Sequence, residues 1–209
     1  MKTEEKLRLT ISGFCGILAP IIAFGCILLS IGYAPNFSWT DNALSDLGVM
    51  PNPTSTLFNL GLIFGGILAT VFAFGLFISF KRRLAGRVGT FLFLLDTLAL
   101  TAIGIFPESS KPMHLYASVT FFALFPLAMF FMTAMFILES KNLMAWFTFL
   151  VSVFSAVVWV SEFWVHYVPG VAIPEALSAI AASVWAIVVG SRMLNMRKGL
   201  KEISKDKAS

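Results

Sequence analysis

Charge is scarce in this chain of 209 residues: Asp, Glu, Lys and Arg together make up 12% of it. A soluble domain carries about a quarter charged residues and about 45–50% apolar ones, whereas here the apolar share is 58%. That shortage excludes a disordered chain and almost any soluble enzyme. Cysteine is equally scarce, and Cys15 and Cys26 are the only two, which excludes a disulfide scaffold. Both fall on one apolar run, about 16 Å apart if that run is helical, far beyond disulfide reach. The sequence also lacks a collagen-like repeat, a low-complexity tract and the ten-residue alternation of an outer-membrane barrel.

What the chain has instead is hydrocarbon. Its 22 phenylalanines and mean hydropathy of +0.87 leave an integral membrane protein. A helix crossing the roughly 30 Å lipid core needs about 20 apolar residues, and six runs qualify: 11–33, 57–79, 88–106, 115–138, 143–165 and 172–193. The first is too long for a signal-peptide core and lacks a clean cleavage site, so it reads as an uncleaved anchor. The longest connecting piece is the loop 34–56, too short to hide a soluble domain, and 194–209 forms a basic tail. The expected architecture is therefore all-α: one domain over 1–209, a polytopic bundle of six transmembrane helices.

Charge then orients it. With both termini cytoplasmic, every Lys and Arg except Lys111 lies on the inner side, the asymmetry that the positive-inside rule demands. The net charge of +4 and the pI of 9.2 are thus topogenic, and nucleic acid is not an expected partner. The partners expected are membrane lipids, with a protein partner or a homo-oligomer as further options. Within the bundle, four-residue stripes of small residues mark helix contacts. Gly61, Gly65, Ala69 and Ala73 form one; Ser178, Ala182, Ala186 and Gly190 form the other. Pro20 and Pro126 are expected to kink the first and fourth spans.

The chemically capable side chains gather on the outer side. His114, His166, Asp46, Glu108, Glu162 and Glu175 all fall there, beside almost no cation. On the fifth span Ser152, Ser155, Trp159, Glu162 and His166 follow a 3-4-3-4 spacing, one helical stripe. In a membrane helix such a stripe faces the bundle or a wet cavity. In the outer loop, Thr40 or Asp41 can cap a short helix that Gly48 ends, and Ser45 and Asp46 sit inside it. Asp46, His114, Glu162 and His166 suit a divalent ion such as zinc, with Asp46, Glu162 and Glu108 as candidate catalytic carboxylates. Ser45 and Glu175 are candidate positioning groups. Asp96 stands alone within the third span, where an unpaired carboxylate is costly, and is a candidate intramembrane proton carrier. Structural alternatives exist for each, such as a hydrogen-bonded helix end at Glu162 and His166 or an interhelical bond from Asp96.

Asn42-Ala-Leu-Ser-Asp-Leu-Gly48, then Gly104-Ile-Phe-Pro107 and then His114 together resemble a prokaryotic six-span membrane family, domain of unknown function 998. The resemblance covers nearly the whole chain, and Ser-Asp-Leu-Gly is its most specific element. It implies a six-helix fold in a bacterial or archaeal plasma membrane, with Ser45, Asp46 and His114 as family-typical positions and no assigned activity. A remoter similarity is to the alkaline-ceramidase-like membrane hydrolases, which use Ser, Asp and three His around zinc. This chain departs from that pattern in having two His and no His-x-x-x-His.

Three functions compete on this reading. One is a metal-dependent hydrolase acting on a lipid or other amphiphile. Another is a proton- or cation-coupled carrier or sensor, and the third is a non-catalytic membrane scaffold.

Overall fold

The computed structural model describes residues 3–80 and 82–206, with residues 3, 5, 6 and 196–206 described by backbone alone. The charges at Lys2, Lys81 and Lys207 and the side chains of most of the basic tail lie outside the described residues. Six long helices run in chain order: α1 (Thr3–Gly32), α2 (Thr54–Phe80), α3 (Leu84–Ile105), α4 (Met113–Leu138), α5 (Asn142–Val165) and α6 (Ala172–Asp206). All six are long and apolar enough to cross a membrane. No strand occurs among the described residues. Each helix covers an expected apolar run and most extend beyond it, because in lipid the backbone satisfies its own polar groups by staying helical past the last apolar residue. One more element, a 3-10 helix at Leu44–Val49, occupies the long loop.

Each helix packs beside the next, and α6 returns to α1, whereas α5 meets α6 more sparsely. The glycine stripes set the close approaches. A Cβ at Gly65 would stand 2.9 Å from Cβ of Ala23 on α1, and one at Gly190 would stand 2.7 Å from the Gly13 carbonyl. Each side chain added there would have to push neighbouring helices away from one another. Pro20 and Pro126 both lie inside continuous helices. Across from Pro126, the Ser152 hydroxyl of α5 donates to its carbonyl at 2.7 Å, so one member of the expected polar stripe serves as an interhelical tie. Cys15 and Cys26 are free thiols.

Two apolar cores result. One is mid-bundle, where Phe72, Phe93 and Trp185 pack ring on ring with Met129 and Met132. The other plugs one end of the bundle: Leu44 and Leu47 of the 3-10 helix sink among Phe58, Ile103, Phe121 and Ala172. Leu47 is fully buried. The 3-10 helix is therefore a structural cap whose inward leucines fix where its Ser45 and Asp46 stand.

Candidate functional site

The loop that carries the cap is held by short backbone bonds to the α5–α6 connection. Gly170 N–H donates to the Thr40 carbonyl at 2.6 Å and Ala172 N–H to that of Asn42 at 2.9 Å. A Cβ at Gly170 would come within 2.5 Å of the Asn42 carbonyl oxygen, so the residue has to be glycine for the loop segments to meet. Beyond this pairing, the Glu175 carboxylate in the first turn of α6 accepts the Leu44 N–H at 2.6 Å. Glu175 thus anchors the first residue of the 3-10 helix.

Asp46 stands three residues after the N-cap, Ala43, and its Oδ2 accepts the Ala43 N–H (3.0 Å) and the Asn42 side-chain amide (2.8 Å). Its carboxyl also lies close enough to that of Glu108, from the α3–α4 connection, for each to shift the other's proton affinity. The two acids respond in opposite directions. Burial acts to raise Asp46, but the Glu108 carboxyl and the hydrogen bonds from Asn42 and the Ala43 N–H outweigh it and hold Asp46 below the usual carboxylate range. Glu108 is pushed up by the neighbouring Asp46 carboxyl, by burial and by the Asp46 charge, with Lys111 and His114 opposing. Lys111 stands 3.7 Å from Glu108 Oε1 and is largely exposed. Of the two, Asp46 is thus the stronger acid and Glu108 the weaker.

His114 opens α4 and is buried. Its Nδ1 lies 2.8 Å from the Phe106 carbonyl and its Nε2 3.3 Å from the Ser118 hydroxyl. A carbonyl can only accept, so Nδ1 carries a proton; in the neutral ring Nε2 is then an acceptor for the Ser118 O–H. Ser118 is absent from the residues that the sequence singles out, although its i,i+4 spacing to His114 is visible there.

Two other expected members stand elsewhere. Helix α5 ends at Val165, and His166 caps it in the left-handed region (φ 48°), exposed, its N–H on the Glu162 carbonyl at 2.9 Å. The turn takes His166 off the stripe that Ser152, Ser155, Trp159 and Glu162 continue. Glu162 is buried, and its Oε2 has no hydrogen-bond partner, as is true of Trp159 Nε1, Ser155 Oγ and Ser178 Oγ. Among the described residues no three His, Cys, Asp or Glu side chains stand together in a way that would hold a metal ion. The acids that lie near one another are Asp46 and Glu108, and Glu175 anchors the N-terminus of the 3-10 helix.

Glu108, with Lys111 beside it, stands at the polar end of a groove of about 780 Å3 between α4 and α5, whereas Asp46 itself does not line the groove. Ser45, Glu108, His114, Ser118 and Glu175 line that end; Leu115, Val119 and Phe122 on α4 face Trp159, Val160 and Phe163 on α5 along the rest. Leu115, Val119, Val160 and Phe163 are all more than half exposed, so the groove opens sideways from the bundle.

Tyr167, two residues past the end of α5, is raised by burial and by the Glu162 charge. Comparison with curated proteins and with solved structures gives no match, so neither supports the similarity to ceramidase-like hydrolases. Residues 17–192 match the family described as protein of unknown function (DUF998), and the chain, a multi-pass membrane protein, belongs to that family.

Proposed function

We propose that the groove and the adjoining carboxyl pair form the active site of a hydrolase that cleaves an ester or amide in a lipid or other amphiphile. By the charge count the 3-10 helix end faces outward, so the substrate comes from the outer leaflet, in the prokaryotic plasma membrane that the family resemblance implies. The observation that carries the reading is the Asp46–Glu108 pair. Two neighbouring carboxyls whose proton affinities are driven apart supply a base and an acid at one place.

The chemistry follows from that division. Asp46, ionised, takes a proton from water as the water oxygen bonds to the substrate carbonyl carbon. Glu108, protonated, gives its proton to the leaving oxygen or nitrogen as the bond to carbon breaks. The proton gained by Asp46 then returns to Glu108 beside it, and the pair is ready for another turnover. His114, its ring fixed by the Phe106 carbonyl, orients the Ser118 hydroxyl toward the groove. The apolar walls hold the hydrocarbon portion, which an aqueous substrate would not need.

A panel of lipid esters and amides in mixed micelles, followed by mass spectrometry of released products, tests this. Turnover in the parent should fall about 10²–10⁴-fold in Asp46→Asn and in Glu108→Gln. No turnover of any panel member, or turnover indifferent to both substitutions, would sink the reading. A second reading, a cation-coupled carrier, is favoured by one observation, the unpaired Asp96 deep in the bundle.

A further inference from the structure

Below the groove lies a second, smaller and partly open cavity of about 120 Å3, bordered by α1, α2, α3, α4 and α6 with Leu44 and Ser45 of the 3-10 helix at one end. Its walls are almost wholly apolar, with Ala23, Leu62, Phe93, Phe121 and Ala179 among them. Asp96 is the exception at depth: it lines this chamber, is 1% exposed, and its Oδ1 has no hydrogen-bond partner. By helix rise it lies about 13 Å below the end of α3 at Ile105. The adjoining Thr97 hydroxyl is committed to the Leu94 carbonyl at 2.8 Å. Among the described residues no Lys, Arg or His lines the chamber. A carboxylate there needs a proton or a cation as company.

The chamber and the groove share four lining residues, Ser45, Ser118, Phe122 and Glu175. One route therefore joins the sideways opening to Asp96. Size then narrows the occupant. An apolar cavity of about 150 Å3 holds benzene, so this chamber of about 120 Å3 accepts a hydrocarbon group of a few carbons. With Asp96 at depth, Glu175 at the groove end and no cation among the described residues of the walls, the apolar space selects for a basic group.

We propose that the chamber is a binding site for a small apolar amine, whose nitrogen pairs with Asp96 while its hydrocarbon portion packs against Phe93, Phe121 and Ala179. The amine enters neutral through lipid and groove. At Asp96 the carboxyl O–H breaks, an N–H forms, and an ammonium–carboxylate pair results with no net charge carried in. The proposal rests on the chamber alone and is independent of the acid–base reading of Asp46 and Glu108.

Butylamine is the probe, with butyrate as its anionic counterpart, titrated into the full chain in detergent. Trp185 is fully buried and packs on the wall residue Phe93, its ring 5.3 Å away, and with Trp39, Trp146, Trp159 and Trp164 replaced by Phe it is the sole emitter. Butylamine should change its emission saturably, and butyrate should not. Asp96→Asn should weaken butylamine binding at least tenfold, and Ala179→Leu, which fills the chamber and spares the acid, should weaken it comparably. Helix content by circular dichroism confirms that both variants are folded. Asp46→Asn, in contrast, should lose turnover and keep butylamine binding. Linear partition without saturation, equal response to butyrate, or full binding in Asp96→Asn would each overturn the proposal.

Discussion

The Glu175 carboxylate holds the Leu44 N–H at 2.6 Å across 131 residues of sequence. The first turn of α6 thereby fixes the start of the 3-10 helix, and with it the position of Asp46 two residues on. Removing the acceptor leaves a buried N–H unpaired, which costs about 1–3 kcal/mol. Glu175→Ala is therefore expected to lower thermal stability in detergent by that amount. Glu175→Gln keeps a carbonyl oxygen in place and should cost less; equal losses in the two variants would contradict the role.

The opposite displacement of Asp46 and Glu108 predicts a bell-shaped pH dependence of turnover. Asp46 lies below the usual range, so its basic form is lost only as pH falls through that lowered value. Glu108 lies above its usual range, so its acid form is lost as pH rises through the raised value. The maximum thus sits between the two limbs, which belong to the pair as a unit. Glu108→Gln should erase the alkaline limb. Rates measured across pH in the parent and this variant decide the matter.

His114 joins the end of α3 to the start of α4 through its bond to the Phe106 carbonyl. His114→Ala should destabilise the chain by about 1–2 kcal/mol, the cost of an orphaned buried carbonyl, whereas Ser118→Ala should leave the melting temperature almost unchanged and lower turnover. Parallel melting and kinetic measurements separate the two.

The α1–α6 seam has no room for a side chain at Gly190. Gly190→Val should cost about 1–3 kcal/mol through forced separation of the helices, visible as an earlier thermal transition. The same substitution at Gly25, where a Cβ would meet nothing within 4 Å, is the control that should melt close to the parent.

A carboxyl-pair hydrolase needs no divalent ion at its site. Chelation is expected to leave turnover intact. If it abolishes turnover and zinc alone restores it, the outer acids act as metal ligands and the acid–base assignment fails.

The spans are legible in the sequence because an apolar run of about 20 residues has one stable solution in lipid. Asp46 and Glu108 are legible as members of an outward acid set, but their contact is not: it depends on Leu44 and Leu47 sinking into the bundle end, a tertiary event. Spacing places His166 on the α5 stripe only if the helix is unbroken, and the left-handed cap at φ 48° breaks it. Ser118 is hidden for a different reason. A hydroxyl on a membrane helix usually bonds its own preceding turn, as Thr70, Thr90, Thr133 and Ser183 do here. The i,i+4 spacing of Ser118 to His114 is the one signal, and spacing alone does not separate a hydroxyl that turns to a histidine from one that bonds its own helix.

The sideways opening of the groove between α4 and α5 changes what concentration means for this protein. On the proposed reading, a lipid-dissolved ligand reaches it by diffusion in the plane of the membrane, so occupancy is expected to follow the ligand's mole fraction among lipids. Diluting vesicles with buffer leaves that fraction untouched, while adding inert lipid at constant ligand lowers it. The half-saturation point is then a surface density, set by membrane composition as much as by affinity.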